Sequence, residues 1–165
     1  MLIRPQTPAD AAAIRAVTEA AFASAEHASG TEGAIVDALR EAGALTLSLV
    51  AEQDGAIVGH AAFSPVRIDG EDCCWFGLGP VSVAPDRQGK GIGTALVREG
   101  LSTLQDRDAA GCVVLGDPAY YGRFGFTSDH ALRYPGVPPQ YFQSLRWSGD
   151  PVAGEVAYHS GFDAK

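Results

Sequence analysis

The chain has 165 residues, 46% apolar and 19% charged, a balance that fits one folded domain over residues 1–165 with its own hydrophobic core and argues against disorder. Twenty acidic residues against 12 basic ones give a formal net charge of −8 with no dense Lys/Arg cluster. This argues against a nucleic-acid partner and against an anionic membrane surface, while tolerating a cationic partner such as an amine.

No segment approaches a membrane span, and MLIRPQTPAD has no apolar signal core, so the cytoplasm is the expected compartment. The cysteines Cys73, Cys74 and Cys112 form no CxxC pair, so neither a disulfide framework nor a metal site is expected.

Taken in chain order, Leu2 to Arg4 reads as a short strand. TPADAAAIRAVTEAAFAS follows, with Thr7 as N-cap, Pro8 at the first helical position and Asp10 in the first turn. Ile14, Val17 and Ala21 recur at helical spacing and predict its buried face. A second helix is predicted from Thr31, with Ile35, Val36 and Leu39 inward and Gly43 ending it. LTLSLVAEQ, AIVGHAAFSPVRI and CCWFGLGPVSV are strand-like, separated by Asp54-Gly55 and Asp69-Gly70, both hairpin signals. They predict an antiparallel meander over 45–84. A helix then runs to about Gln105, GCVVLGD forms a buried strand, and DPAYYGRFGF makes a helical turn leading into another strand. The tail after 127 is rich in Pro and Gly, with EVAYHS strand-like near its end. The predicted order is β-α-α-β-β-β-α-β-α-β-β, an α/β (α+β) fold with a largely antiparallel sheet.

The functional signal lies in GPVSVAPDRQGKGIGTALV. Phe76 and Leu78 share one face of the strand, yet Val81 and Val83 share a face one residue out of step. Gly79-Pro80 sits at the slip, and a β-bulge there would free backbone groups for a ligand. Gln88 to Thr94 then enters the helix, where unpaired N–H groups and the helix dipole favour a phosphate, and glycines clear its approach. Arg87 and Lys90 add charge at the rim. The Walker pattern fails because Lys90 precedes Gly91, and the dinucleotide pattern fails because position 94 is threonine.

What remains is Q-x-x-G-x-G on Gln88, Gly91 and Gly93, which resembles the acyl-CoA pyrophosphate loop of the GNAT superfamily of N-acetyltransferases. Tyr120-Tyr121-Gly122-Arg123-Phe124-Gly125-Phe126 resembles the same family's aromatic-Tyr-x-Lys/Arg-x-Gly-Phe segment. The resemblance spans roughly residues 2 to 127. It implies a mixed sheet flanked by helices, with a splayed strand pair forming a wedge for acetyl-CoA. Val81 and Val83 would then bond the pantetheine arm, and Gln88, Gly89, Lys90, Gly91, Gly93 and Thr94 would hold the pyrophosphate through backbone N–H groups. Tyr121 falls on the tyrosine that many members use as general acid.

Two positions depart from the pattern. Asp117 stands where many members have asparagine. The strand from Phe76 to Val83 also carries no carboxylate, where some members place a glutamate base; Glu26, His27 and Glu32 are the substitutes considered. His60, mid-strand, reads as a hydrogen-bonded core histidine. The expected activity is transfer of acetyl to a primary amine of a small molecule or peptide by direct attack. The alternatives are a non-catalytic acyl-CoA-binding domain and an enzyme using another phosphate ligand. The tail from Phe142 is left open as part of an acceptor pocket or of a homodimer interface.

Overall fold

Two Asp-Gly pairs fold the middle of the chain back on itself. In the computed structural model, which describes residues 1–23 and 30–165, Asp54 and Gly55 take φ of 53° and 77°, and Asp69 and Gly70 take 49° and 78°. Positive φ at both central positions defines the turn whose twist matches the flanking strands. The turns join β2, β3 and β4 (Leu47–Gln53, Ala56–Ile68 and Glu71–Val83) into the expected antiparallel meander. β1 (Leu2–Pro5) pairs antiparallel with β2, and β5 (Gly111–Leu115) lies parallel to β4. Three strands follow: β6 (Leu132–Arg133), β7 (Phe142–Arg146) and β8 (Gly154–Tyr158). The main path runs β1-β2-β3-β4-β5-β7, with β8 joining the far end of β3 and β6.

Helices cover both faces. A 3₁₀ turn at Pro8–Asp10 leads into α1 (Ala11–Phe22), and α2 is Glu32–Glu41. These pack on one face, where Ile14 and Val36 meet Val50 of β2. α3 (Ile92–Asp106) packs on the other through Ile92, Leu96, Val97, Leu101 and Leu104, against Leu49, Ala61 and Phe63. Residues alternate between the two faces along β2, as a pleated strand requires. α4 (Pro118–Tyr121) is a single turn after β5.

The structure departs from expectation in the tail and in α1. The strand predicted after the helical turn is reduced to one bridge, Thr127 to Ser144. β7 was hidden among prolines and glycines, yet it pairs with β5 along its whole length, Gly111 opposite Arg146 through Leu115 opposite Phe142. In α1, Ala21 is only half-buried and Thr18 is fully buried instead, because its hydroxyl meets Ser82 Oγ of β4 at 3.2 Å. The chain ends in a 3₁₀ turn, Ser160–Asp163, whose Phe162 packs on Leu39 of α2.

Candidate active site

β4 carries the bulge. Ala61 faces Val81 and Phe63 faces Leu78, so Gly79 and Pro80 together oppose the single residue Ala62. The extra residue explains the phase slip: Phe76 and Leu78 before it, and Val81 and Val83 after it, all belong to the cluster under α3. β5 does not follow β4 past the bulge. Their last paired residues are Leu78 and Val114, and beyond them the strands separate into a fork.

The ladder to β3 fixes which groups face this fork. The Ala84 N–H donates to the Val58 carbonyl at 2.8 Å, which makes that pair hydrogen-bonded. Bonded and non-bonded pairs alternate in an antiparallel ladder, so Ser82 bonds His60 while Val81 and Val83 turn their N–H and C=O groups away from β3. Val83 O is met there by Gln88 Nε2 at 3.1 Å.

Beyond β4 the glycine turn opens a groove of about 290 Å³, lined by Val83, Arg87, Gln88, Gly89, Gly91, Ile92, Gly93, Thr94, Tyr120 and Arg123. Gly91 is the N-cap of α3 with φ of 84°, a left-handed conformation that glycine adopts without strain. The first intrahelical bond runs from Ala95 N to Gly91 O, which leaves the N–H groups of Ile92, Gly93 and Thr94 outside the helix ladder. A Cβ on Gly93 would come 3.5 Å from both Tyr120 Oη and Val83 Cγ2, so its absence opens the space between them. Arg87 is held to Gln53, and the Arg123 guanidinium lies 4.3 Å from the Tyr120 ring centre with its Nε donating to Tyr120 O at 2.9 Å. Two cations and a helix N-terminus therefore face one groove, a fit for a polyphosphate.

Tyr121 occupies the α3 side of the fork. Its ring lies on Gly116, just past β5, so closely that no Cβ fits there, and meets Tyr120 edge-on at 5.0 Å and Phe126 at 6.0 Å. Burial, with smaller effects of Tyr120 and Cys112, pushes its phenol up to about 12. It is therefore a protonated donor at neutral pH. The carbonyl of Gly116 is held by Gln143 Nε2 at 3.0 Å, from the unexpected β7.

Residues 2–128 match the family model described as acetyltransferase (GNAT) domain. The chain belongs to the GNAT acetyltransferases. It is 43% identical to N-acetyltransferase YhbS of Escherichia coli K12 over 99% of both chains. A GNAT acetyltransferase from Brucella melitensis, crystallised with acetyl-CoA, is 55% identical and superposes with a TM-score of 0.89 over 98% of this chain and 97% of its own. The crystal structure of Escherichia coli YhbS with CoA gives 42% identity and a TM-score of 0.89 over 98% and 91%.

Within this GNAT fold, Val83, Gln88, Gly89, Gly91, Gly93 and Thr94 line the groove, Val81 lies deeper along the fork, and Lys90 is exposed outside the lining. Asp117 is exposed and caps α4, its Oδ1 accepting the Ala119 N–H at 2.9 Å. Glu32 opens α2, on the face opposite α3, and accepts the Gly30 N–H at 3.1 Å. Glu26 and His27 lie outside the described residues. His60 is a buried core residue bonded to Ser48 Oγ at 2.7 Å, and burial pushes it down to about 3. Tyr120 and Arg123 were not assigned to the phosphate groove from sequence; their spacing of three on a helical turn, which puts both on one side, was the available signal. Among the described residues, no helix is long and apolar enough to cross a membrane.

Proposed function

We propose that the fork and groove hold acetyl-CoA, and that the enzyme passes its acetyl group directly to a primary amine. The observation that carries this reading is the splay of β4 from β5 after Leu78, with Val81 and Val83 turning their peptide groups into the gap. An extended arm with two amides, such as pantetheine, suits such a strand edge. The pyrophosphate then falls to the N–H groups at the start of α3, with Arg87 and Arg123 beside it. This arrangement sets the thioester at the closed end of the fork, beside Tyr121.

The chemistry follows from the groups there. The amine lone pair attacks the thioester carbonyl carbon, the C–S bond breaks, and the Tyr121 O–H gives its proton to the leaving sulfur. The nitrogen sheds its extra proton to solvent, and the tyrosinate regains one. Attack needs the free base of an amine whose ordinary pKa is about 10.4 if it resembles lysine. Phe76–Val83 carries no carboxylate to remove that proton, and an amine that enters neutral needs none.

The test is mass spectrometry of the enzyme with acetyl-CoA, alone and with a panel of primary amines. Direct attack predicts one N-acetyl product per CoA released and no acetylated enzyme. A protein 42 Da heavier before amine is added would contradict it.

A further inference from the structure

A second tyrosine, Tyr158, packs on β4 beside the last residues it pairs with β5. Gly77 of β4 lies between Phe76 and Leu78, both in the cluster under α3, so it faces away from α3. A Cβ on Gly77 would come 2.5 Å from Tyr158 Cε1 and 2.9 Å from Cδ1, so the Tyr158 ring rests directly on this glycine. The ring is fixed from two sides, edge-on to Tyr134 at 5.2 Å and tilted against Phe162 at 4.9 Å. Gly77 is one residue before Leu78, where β4 and β5 part. Its partner across the ladder is Ser64, which shares the same face.

The hydroxyls of Tyr158 and Ser64 are both buried, and neither has a hydrogen-bond partner among the described residues. Buried hydroxyls are normally paired, and leaving them unpaired is costly. Both residues meet Gly77, one residue before β4 and β5 part, on the face away from α3, where an unpaired hydroxyl can serve a ligand. Burial raises the Tyr158 phenol well above its usual value, and Cys112, Tyr134 and Tyr121 add to the effect. It stays neutral.

We propose that Tyr158 and Ser64 form the acceptor subsite and bind a neutral primary amine. Each of the two N–H groups of such an amine donates to one hydroxyl oxygen, which leaves the lone pair free to face the thioester. Tyr134, Phe162 and Val66, which pack on the Tyr158 ring, carry no carboxylate that would hold an ammonium ion. The subsite thus selects the reactive free base without a carboxylate. It rests on the proposed acetyl transfer to a primary amine.

The test compares Tyr158→Phe and Ser64→Ala with the wild-type enzyme. The probes are butylamine, benzylamine, putrescine and alaninamide, with N-acetyl product measured by mass spectrometry and acetyl-CoA affinity by calorimetry. The subsite predicts a loss of about tenfold in kcat/KM for the amine in each variant. It also predicts unchanged acetyl-CoA Kd and a Tm no lower than wild type, since an unpaired hydroxyl has been removed. Unchanged amine turnover overturns it. A lower Tm or weaker acetyl-CoA binding in Tyr158→Phe also overturns it, because the hydroxyl would then be structural. If the wild-type enzyme binds acetyl-CoA yet acetylates none of the four amines, the subsite fails; if acetyl-CoA does not bind, the underlying reading fails first.

Discussion

The Thr94 hydroxyl lies 3.0 Å from the Tyr120 hydroxyl, so the first turn of α3 is tied to α4 across the mouth of the groove. The bond holds two walls of the groove at a fixed separation, and Arg123, stacked on the Tyr120 ring, shares that placement.

Removing either hydroxyl loosens both walls. Tyr120→Phe and Thr94→Val should each weaken acetyl-CoA binding by about 1 kcal/mol, roughly fivefold in Kd. Because they break the same bond, the double variant should be little worse than either single one. Calorimetric titration of the three variants checks this, and fully additive losses would mean that each hydroxyl acts on its own.

Tyr121→Phe should lower kcat on the order of 10²-fold while leaving acetyl-CoA affinity intact, because the phenol acts on the leaving thiolate. Its pKa is raised to about 12, so the acid form persists through the alkaline range. The wild-type kcat/KM should therefore rise as the free amine deprotonates and show no alkaline fall up to about pH 11. A fall centred near the ordinary tyrosine value of about 10 would show a solvated phenol instead.

His60 ties stability to pH. Ser48 Oγ and Arg40 Nη2 both donate to Gln6 Oε1, at 2.7 and 3.2 Å. The Ser48 proton is thus spent, so His60 Nε2 must donate to Ser48, and Nδ1 keeps a buried lone pair with no partner among the described residues. Burial, then Arg40, lowers its pKa to about 3, so the folded protein keeps it neutral. The unfolded chain protonates it below about 6.5. Stability is therefore complete above that value and falls with decreasing pH, by up to about 1.4 kcal/mol per unit. Urea unfolding between pH 7.5 and 4.5 should show this slope, and His60→Gln should flatten it. The same slope in the variant would place its origin elsewhere. Asp10, held well below the usual carboxylate range by Arg4, adds its own loss only at lower pH.

The bulge was legible because alternation has period two, and one extra residue at Gly79-Pro80 leaves a visible slip. The hairpins were legible because Asp-Gly pairs mark a specific turn. β7 was not: Phe142–Arg146 lies in a proline-rich tail, and its inward Gln143 is polar, although its Nε2 donates to Gly116 O. Tyr120 and Tyr158 owe their places to α3 and to Gly77, contacts distant in the chain that no local pattern reports. Asp117 stands where many members have asparagine, and its carboxylate caps a helical turn, a local role that the substitution alone does not report.

The glycines at 91 and 93 test the account most directly because they differ in kind. Gly91 has φ of 84°, so Gly91→Ala should cost about 1 kcal/mol of stability. Gly93→Ala adds a methyl that makes only ordinary contacts at 3.5 Å with Tyr120 and Val83, inside the groove, so the fold should keep its Tm. The decisive measurement is calorimetric titration of wild-type protein and Gly93→Ala with acetyl-CoA, with ATP and NAD as competitors. We expect one site of micromolar or tighter affinity in the wild type, indifferent to both nucleotides, and a loss of about tenfold or more in Gly93→Ala. Equal affinity in the two proteins, or displacement of acetyl-CoA by ATP, would contradict it.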